Sequence, residues 1–220
     1  MLHTTALTLY LDEQPLLTLP PLAVAPGEVL TLMGPSGCGK SSLLAALAGV
    51  LPPGGAIRLA GEIRLGERLL TPLAPQARRI GMLFQDDLLF AHLTVAENLM
   101  FGMPAHLRGM AARRACALEA LAEVGLKGQA DKLPGQLSGG QKARVSLLRA
   151  LLAEPEALLL DEPFSRLDKP LRAAFRTLVF ERLKALGIPA LLVTHDEEDA
   201  PGAILTLTTP CLTKEDTDLV

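Results

Sequence analysis

Gly34-Pro35-Ser36-Gly37-Cys38-Gly39-Lys40-Ser41 is a G-x-x-x-x-G-K-[ST] pattern that follows the apolar run Val29 to Met33 and opens the apolar-periodic run Ser42 to Leu51. The expected local order is strand, glycine-rich loop, helix. A loop of this kind at a helix start turns several unpaired backbone N–H groups inward, and the helix dipole adds positive potential there. A polyphosphate fits such a nest. Gly34 and Gly39 keep side chains out of the way of the oxygens, Lys40 reaches the β- and γ-phosphates, and the Ser41 hydroxyl can ligate Mg²⁺. Pro35, Ser36, Gly37 and Cys38 complete the loop and Ser42 extends it into the first turn, so 34–42 is the expected nucleotide-binding segment. With glycine at about 7% of residues, a chance match arises in roughly one chain of this length per hundred, and the flanking strand and helix make it rarer.

Composition limits the alternatives. The 220 residues suffice for one domain with a substantial core, or a core with one embedded subdomain. Apolar residues make up 49% but aromatics only 3%, so Leu, Ala and Val must fill that core. The net charge of −3 lies along the chain rather than in blocks. That argues against a nucleic-acid partner, whose phosphates call for clustered Lys and Arg. No apolar run approaches the roughly 20 residues that span a bilayer, and the amino terminus does not resemble a secretory signal. Cys38, Cys116 and Cys211 are odd in number and show no C-x-x-C spacing, which fits a reduced cytosolic chain rather than a disulfide framework or zinc site. Cys38 reads as a small residue filling a variable loop position rather than as a reactive thiol.

Ala6 to Leu11 alternates as a strand, and Leu16 to Val24 reads as a second, interrupted at Pro20-Pro21 and therefore at an edge. Ile57 to Leu65 alternates as an antiparallel strand bent at Gly61, and Ile80 to Phe84 is another short strand. From Asp86 to about Pro155 the pattern turns helical. Thr94-Val95-Ala96-Glu97 and Ser138-Gly139-Gly140-Gln141 are capping boxes, and Met110 to Val124 is amphipathic with Gly125 as its stop. Strands resume at Ala157 to Leu160 and Pro189 to Val193, around a helix from Pro170 to Leu186. Pro210 to Val220 reads as a polar, fraying tail. The expected fold is α/β: a P-loop NTPase core, 1–85 and 156–220, with a mixed sheet of parallel core strands plus antiparallel amino-terminal ones, and an inserted helical subdomain over 86–155.

Leu158-Leu159-Leu160-Asp161-Glu162 ends a strand with two carboxylates. Successive strand residues point to opposite sides, so Asp161 is expected to hold Mg²⁺ through a water while Glu162 orients or deprotonates the attacking water. Ser138-Gly139-Gly140 makes a second anion site at a helix start, without a lysine. One nucleotide fills two nests on separate subdomains only if the chain pairs with a copy of itself.

Leu137-Ser138-Gly139-Gly140-Gln141 resembles the signature of the ABC transporter ATPases, and it lies between the phosphate loop and Asp161-Glu162 as in that family. Five motifs fall in family order between Leu7 and about Asp199. The resemblance implies that Gln85 contacts Mg²⁺ and the attacking water and senses the membrane partner, and that Ser165-Arg166-Leu167-Asp168 is the D-loop. It further implies that His195 is the switch histidine touching the γ-phosphate and that Tyr10 stacks on adenine. Arg166 departs from the usual small residue of the D-loop. Phe90-Ala91-His92-Leu93-Thr94-Val95-Ala96-Glu97-Asn98 is similar to subunits of bacterial importers for small solutes or ions.

The expected protein is thus an ATPase that binds ATP and Mg²⁺ and dimerises head to tail. It would drive a transmembrane permease from the cytoplasmic face of the cell membrane, with a solute-binding protein completing the importer. The segment after His195 is abbreviated relative to the family, and regulation through a carboxy-terminal domain is not expected. Leu88-Leu89-Phe90 is the expected docking run for the permease. A GTPase would need an Asn-Lys-x-Asp guanine reader, and Asn98, the only asparagine, is not followed by Lys. A kinase gives no reason for the signature run. A family member acting on DNA or ribosomes would be expected to carry tandem domains or large insertions.

Overall fold

A computed structural model describes residues 1–52 and 54–207. The expected tail from Pro210, and Cys211 within it, lie outside the described residues. The chain begins with β1 (Leu2–Thr4), β2 (Leu7–Leu11), β3 (Gln14–Leu19) and β4 (Leu22–Val24), then β5 (Val29–Met33), which leads into α1 (Lys40–Ala48). Next come β6 (Ile57–Ala60), β7 (Ile63–Leu65), β8 (Arg68–Leu69), the one-turn helix α2 (Pro75–Arg78) and β9 (Ile80–Leu83). Three helices follow with no strand among them: α3 (Val95–Gly102), α4 (Met110–Glu123) and α5 (Gly139–Leu152). The chain then closes with β10 (Ala157–Asp161), α6 (Lys169–Leu186), β11 (Ala190–Val193) and β12 (Ile204–Thr206).

The central sheet has the order β12-β5-β11-β10-β9, and every pairing in it is parallel. A parallel sheet needs cover on both faces, and its strands read as unbroken apolar runs. Alternate residues serve opposite sides: Leu158 and Leu160 of β10, with Ala190 and Leu192 of β11, join a core built with α3, α4, α5 and α6. Ala157, Leu159, Leu191 and Val193 join a second core with α1 and the amino-terminal strands. Because all five strands run the same way, the segments that leave β5, β9, β10 and β11 emerge at one edge, where open α/β sheets place their ligands.

The antiparallel amino-terminal strands are present, and they form two sheets of their own, β3-β2-β6 and β4-β1-β7-β8. Two expected strands are each divided between these sheets. Pro20-Pro21 separates β3, paired with β2, from β4, paired with β1, and both lie at sheet edges as proline requires. At Gly61, which has φ +114°, the chain passes from β6 on β2 to β7 on β1. A Cβ there would stand 2.5 Å from the Ala6 carbonyl oxygen, so only glycine makes the crossing. The strands β1, β8 and β12 and the helix α2 are additions to the sequence reading.

Candidate active site

The loop after β5 folds back on itself around one cation. Lys40 Nζ donates to the carbonyl oxygens of Gly34 at 2.8 Å and Pro35 at 2.7 Å, which fixes the ammonium at the centre of the loop. Gly39, with φ +92°, is the N-cap of α1 and supplies no side chain to its free N–H groups, and the first turn holds no acidic residue. Those N–H groups have no intrahelical partners, so the helix start keeps its full positive end. The glycines serve different ends. A Cβ on Gly34 would crowd the Leu207 carbonyl at 3.1 Å and Cys38 Sγ at 3.3 Å, whereas one on Gly37 would meet nothing within 4 Å. Cys38 is fully buried beneath the loop, as a space-filling residue would be.

Ser36, Gly37, Gly39, Lys40, Ser41 and Ser42 line a cleft of about 340 Å³, and its far wall is Gln85 after β9 with Asp161 and Glu162 at the end of β10. Asp161 is 5% exposed. Burial pushes its carboxyl above the usual carboxylate range, against the opposing influence of the Ser41 hydroxyl and the Lys40 charge. Strand alternation was expected to send Asp161 and Glu162 to opposite sides, yet both line the cleft. The strand ends at Asp161, and Glu162 takes a left-handed φ of +48°, a conformation that non-glycine residues rarely adopt. Its backbone N–H is held by the Val193 carbonyl at 2.9 Å and its own carbonyl accepts from the Ser165 hydroxyl at 2.9 Å. Glu162 Oε1 lies 3.1 Å from His195 Nδ1, so the expected switch histidine meets the expected catalytic carboxylate directly.

Other expected site residues stand apart. Ser138 caps α5 in a reciprocal box, its hydroxyl accepting from Gln141 N–H at 3.3 Å and its N–H donating to Gln141 Oε1 at 2.9 Å. Ser138, Gly139, Gly140 and Gln141 do not line the cleft. Tyr10 sits half-buried on β2 with the Arg58 guanidinium 4.4 Å from its ring centroid. It is not a cleft residue either, although Leu9 and Leu16 of its sheet reach to within 4 Å of a Cβ built on Gly39. Of the expected docking run, Leu89 packs against the helical core. Leu88, 55% exposed, and Phe90 line a groove of about 470 Å³ with Phe101 and Arg149.

Sequence reasoning missed the supports behind these residues. Asp199, buried, accepts from the Thr194 hydroxyl at 3.0 Å and from Arg172 Nε at 2.9 Å, and Arg172 also pairs with Asp196 at 2.9 Å. This network pins the strand end that carries His195. The signal was available: two arginines one helical turn apart, Arg172 and Arg176, facing an acidic run. Ser146 and Arg149 of α5 donate to the Asp87 carbonyl. Arg166 pairs with both Asp86 and Asp87. Burial raises the Asp87 carboxyl, and Arg166 and Lys142 work against that rise.

Residues 20–165 match the family model described as ABC transporter. The chain belongs to the ABC transporter family. YnjD of Escherichia coli (strain K12), an uncharacterized ABC transporter ATP-binding protein, is 49% identical over 202 residues, spanning 92% of each chain. The thiamine import ATP-binding protein ThiQ of Cereibacter sphaeroides is 48% identical over 174 residues, 79% of this chain and 73% of that one. The ATP-binding cassette MJ0796, solved as a dimer in a post-hydrolysis state bound to ADP and Pi, superposes with a TM-score of 0.81 at 29% identity, covering 94% of both chains. The ABC chain described here is accordingly an ATP-binding cassette of that family, an ATPase.

Proposed function

We propose that this subunit hydrolyses ATP to drive import of a small solute or ion through a separate membrane permease, working as a head-to-tail pair of copies around two ATP molecules. The observation that carries the reading is the convergence of Lys40, Ser41, Gln85, Asp161 and Glu162 on one cleft, while a second helix start, Ser138 to Gln141, stands outside it. A γ-phosphate held by the Lys40 loop of one copy meets Ser138 to Gln141 of the other, so ATP favours the closed pair to the extent that it binds that state better. The dimeric form of MJ0796 supports this arrangement, and the import role of ThiQ supports the direction of transport. We take 1–85 and 156–220 as the catalytic core and 86–155 as the helical subdomain.

Glu162 of the cleft is the general base, and His195, outside the cleft lining but in contact with Glu162, orients the carboxylate and touches the γ-phosphate. Tyr10, set in the sheet that packs on Gly39, is the adenine contact. Ser41, Asp161 and Gln85 line the same cleft and offer hydroxyl, carboxylate and amide oxygens, so the donor set fits magnesium. Bound there, magnesium would offset the negative charge of the phosphates. Among the described residues no helix is long and apolar enough to cross a membrane. The groove lined by Leu88, Phe90 and Phe101 receives the permease, placing the subunit on the cytoplasmic face of the membrane, with a solute-binding protein on the far side.

Glu162→Gln is the test. ATP binding should persist, hydrolysis should fall by about 10²-fold or more, and the variant with Mg-ATP should elute as a dimer in size measurement. A variant that stays monomeric at high concentration, or turns over at the parental rate, would remove Glu162 from this role.

A further inference from the structure

The loop from Glu162 to Asp168 touches more of the site than the carboxylate it carries. Phe164 anchors it, fully buried and edge-on to Phe175 and Phe180. Leu167 lies 3.1 Å from a Cβ built on Gly140, next to the α5 start. Between these two anchors, Arg166 folds back on its own chain. One guanidinium nitrogen is 2.9 Å from Asp86 Oδ1 and the other is 3.0 Å from Asp87 Oδ2. A planar fork across two adjacent carboxylates fixes direction as well as distance, which a lysine could not do. The same Asp87 is held from the other side, its carbonyl accepting from Ser146 at 2.8 Å. Gln85, Asp87, Glu162 and Arg166 close around a crevice of about 10 Å³, room for no more than one water.

We propose that Arg166 is a positioning residue for ATP hydrolysis, clamping Asp86 and Asp87 so that Gln85 is held against the Glu162 side of the cleft. Arg166 is not itself a cleft residue, so it acts through its two partners. Gln85 precedes Asp86 directly, and two soft dihedrals per residue are all that separate a fixed Asp86 from the Gln85 backbone. The clamp closes a chain of contacts from α5, through Asp87, to the loop that presents Glu162. This inference rests on the reading that Glu162 and Gln85 act on the attacking water.

The experiment compares turnover number and ATP dissociation constant for the parent, Arg166→Ala, the double variant Asp86→Asn with Asp87→Asn, and the triple combination. The single and double variants should each lose about fivefold to tenfold in kcat with ATP affinity within about twofold of parental, and the triple should lose no more, because all remove the same clamp. Arg166→Lys should fall between Arg166→Ala and the parent, since an ammonium satisfies one carboxylate. Asp86 is 82% exposed, so Asp86→Asn alone decides if Arg166→Ala fails to fold: a parental rate there overturns the clamp, and a loss shared with Arg166→Lys supports it. Arg166→Ala at parental kcat, or a triple variant whose loss is the product of the separate losses, overturns the proposal. With Glu162→Gln inactive in the same assay, that failure leaves the nucleotide reading standing. Parental turnover by Glu162→Gln would overturn both.

Discussion

Helices α1 and α5 both start at a Ser/Gly-rich turn, and they treat their first-turn N–H groups in opposite ways. At α1 the N-cap is a left-handed glycine with no side chain to offer, and the nearby cation is held by backbone carbonyls of the loop. At α5 the serine and glutamine of a capping box satisfy each other. The first start therefore leaves N–H groups uncapped, as the proposed phosphate site requires, and lines the cleft with Asp161 and Glu162. The second has its Gln141 N–H capped by the Ser138 hydroxyl and lies outside the cleft, so in the proposed dimer it meets a nucleotide only when the partner copy brings one to it. The two helices also differ in what they hold: the first turn of α1 lines the cleft, whereas α5 grips the loop after Gln85 through Ser146 and Arg149.

Lys40→Ala should break the first helix start with the largest effect. It removes the only cation held inside the loop while leaving the glycines that shape it, and nucleotide affinity should fall by more than about a hundredfold. Calorimetric titration with ATP is the measurement, and unchanged affinity would show that the α1 start is not the phosphate site. The Gly34 and Pro35 carbonyls lose their donor in this variant, so the thermal midpoint should be recorded alongside.

The contrast explains what was legible in the sequence. Both helix starts are local features, written within eight residues, and both fell where the pattern put them. The parallel strands were legible because burial on both faces leaves a continuous apolar run such as Leu158-Leu159-Leu160. Pairing was not legible. Leu2–Thr4 joins β4 and β7, and nothing within three residues announces partners 18 to 63 positions away. The short β12 carries too few residues to show a period. Glu162 reached the cleft by a backbone conformation that no residue type in the run signals, and the Arg166 pairs lie 79 and 80 residues apart in sequence. Phe101 was overlooked because α3 is apolar nearly all round, with Val95, Ala96 and Leu99 buried and Phe101 67% exposed.

Phe90, in the groove beside α5, is the residue whose loss should separate permease docking from ATP binding. Phe90 stacks edge-on to Phe101 at 4.7 Å and its backbone is fixed by Asn98, donating to Oδ1 at 2.8 Å and accepting from Nδ2 at 3.1 Å. Phe90→Asp should therefore leave the backbone in place and cost about 1–3 kcal/mol of stability through the half-buried charge. ATP affinity and basal hydrolysis should stay near parental, since α1 is untouched, while recovery of the subunit with its permease from detergent extracts should be lost. Normal recovery would place the docking surface elsewhere, and loss of the folded subunit would assign Phe90 to the core.

The smallest expected effect separates the two tasks of Ser138. As N-cap it satisfies one backbone N–H of α5, and replacing such a serine by alanine costs about 1 kcal/mol, whereas glycine costs only a few tenths. For a domain of this size, 1 kcal/mol lowers the thermal midpoint by about 2–4 °C. Ser138→Ala and Ser138→Gly both delete the hydroxyl, so they are alike toward a nucleotide and unlike toward the helix. Introduced into the Glu162→Gln background, both should weaken the ATP-trapped dimer to the same degree, while only Ser138→Ala lowers the midpoint appreciably. If dimer loss instead follows the midpoint, large for alanine and slight for glycine, then the hydroxyl serves the helix alone. The second helix start would then contribute its backbone N–H groups, not its serine, to the shared nucleotide.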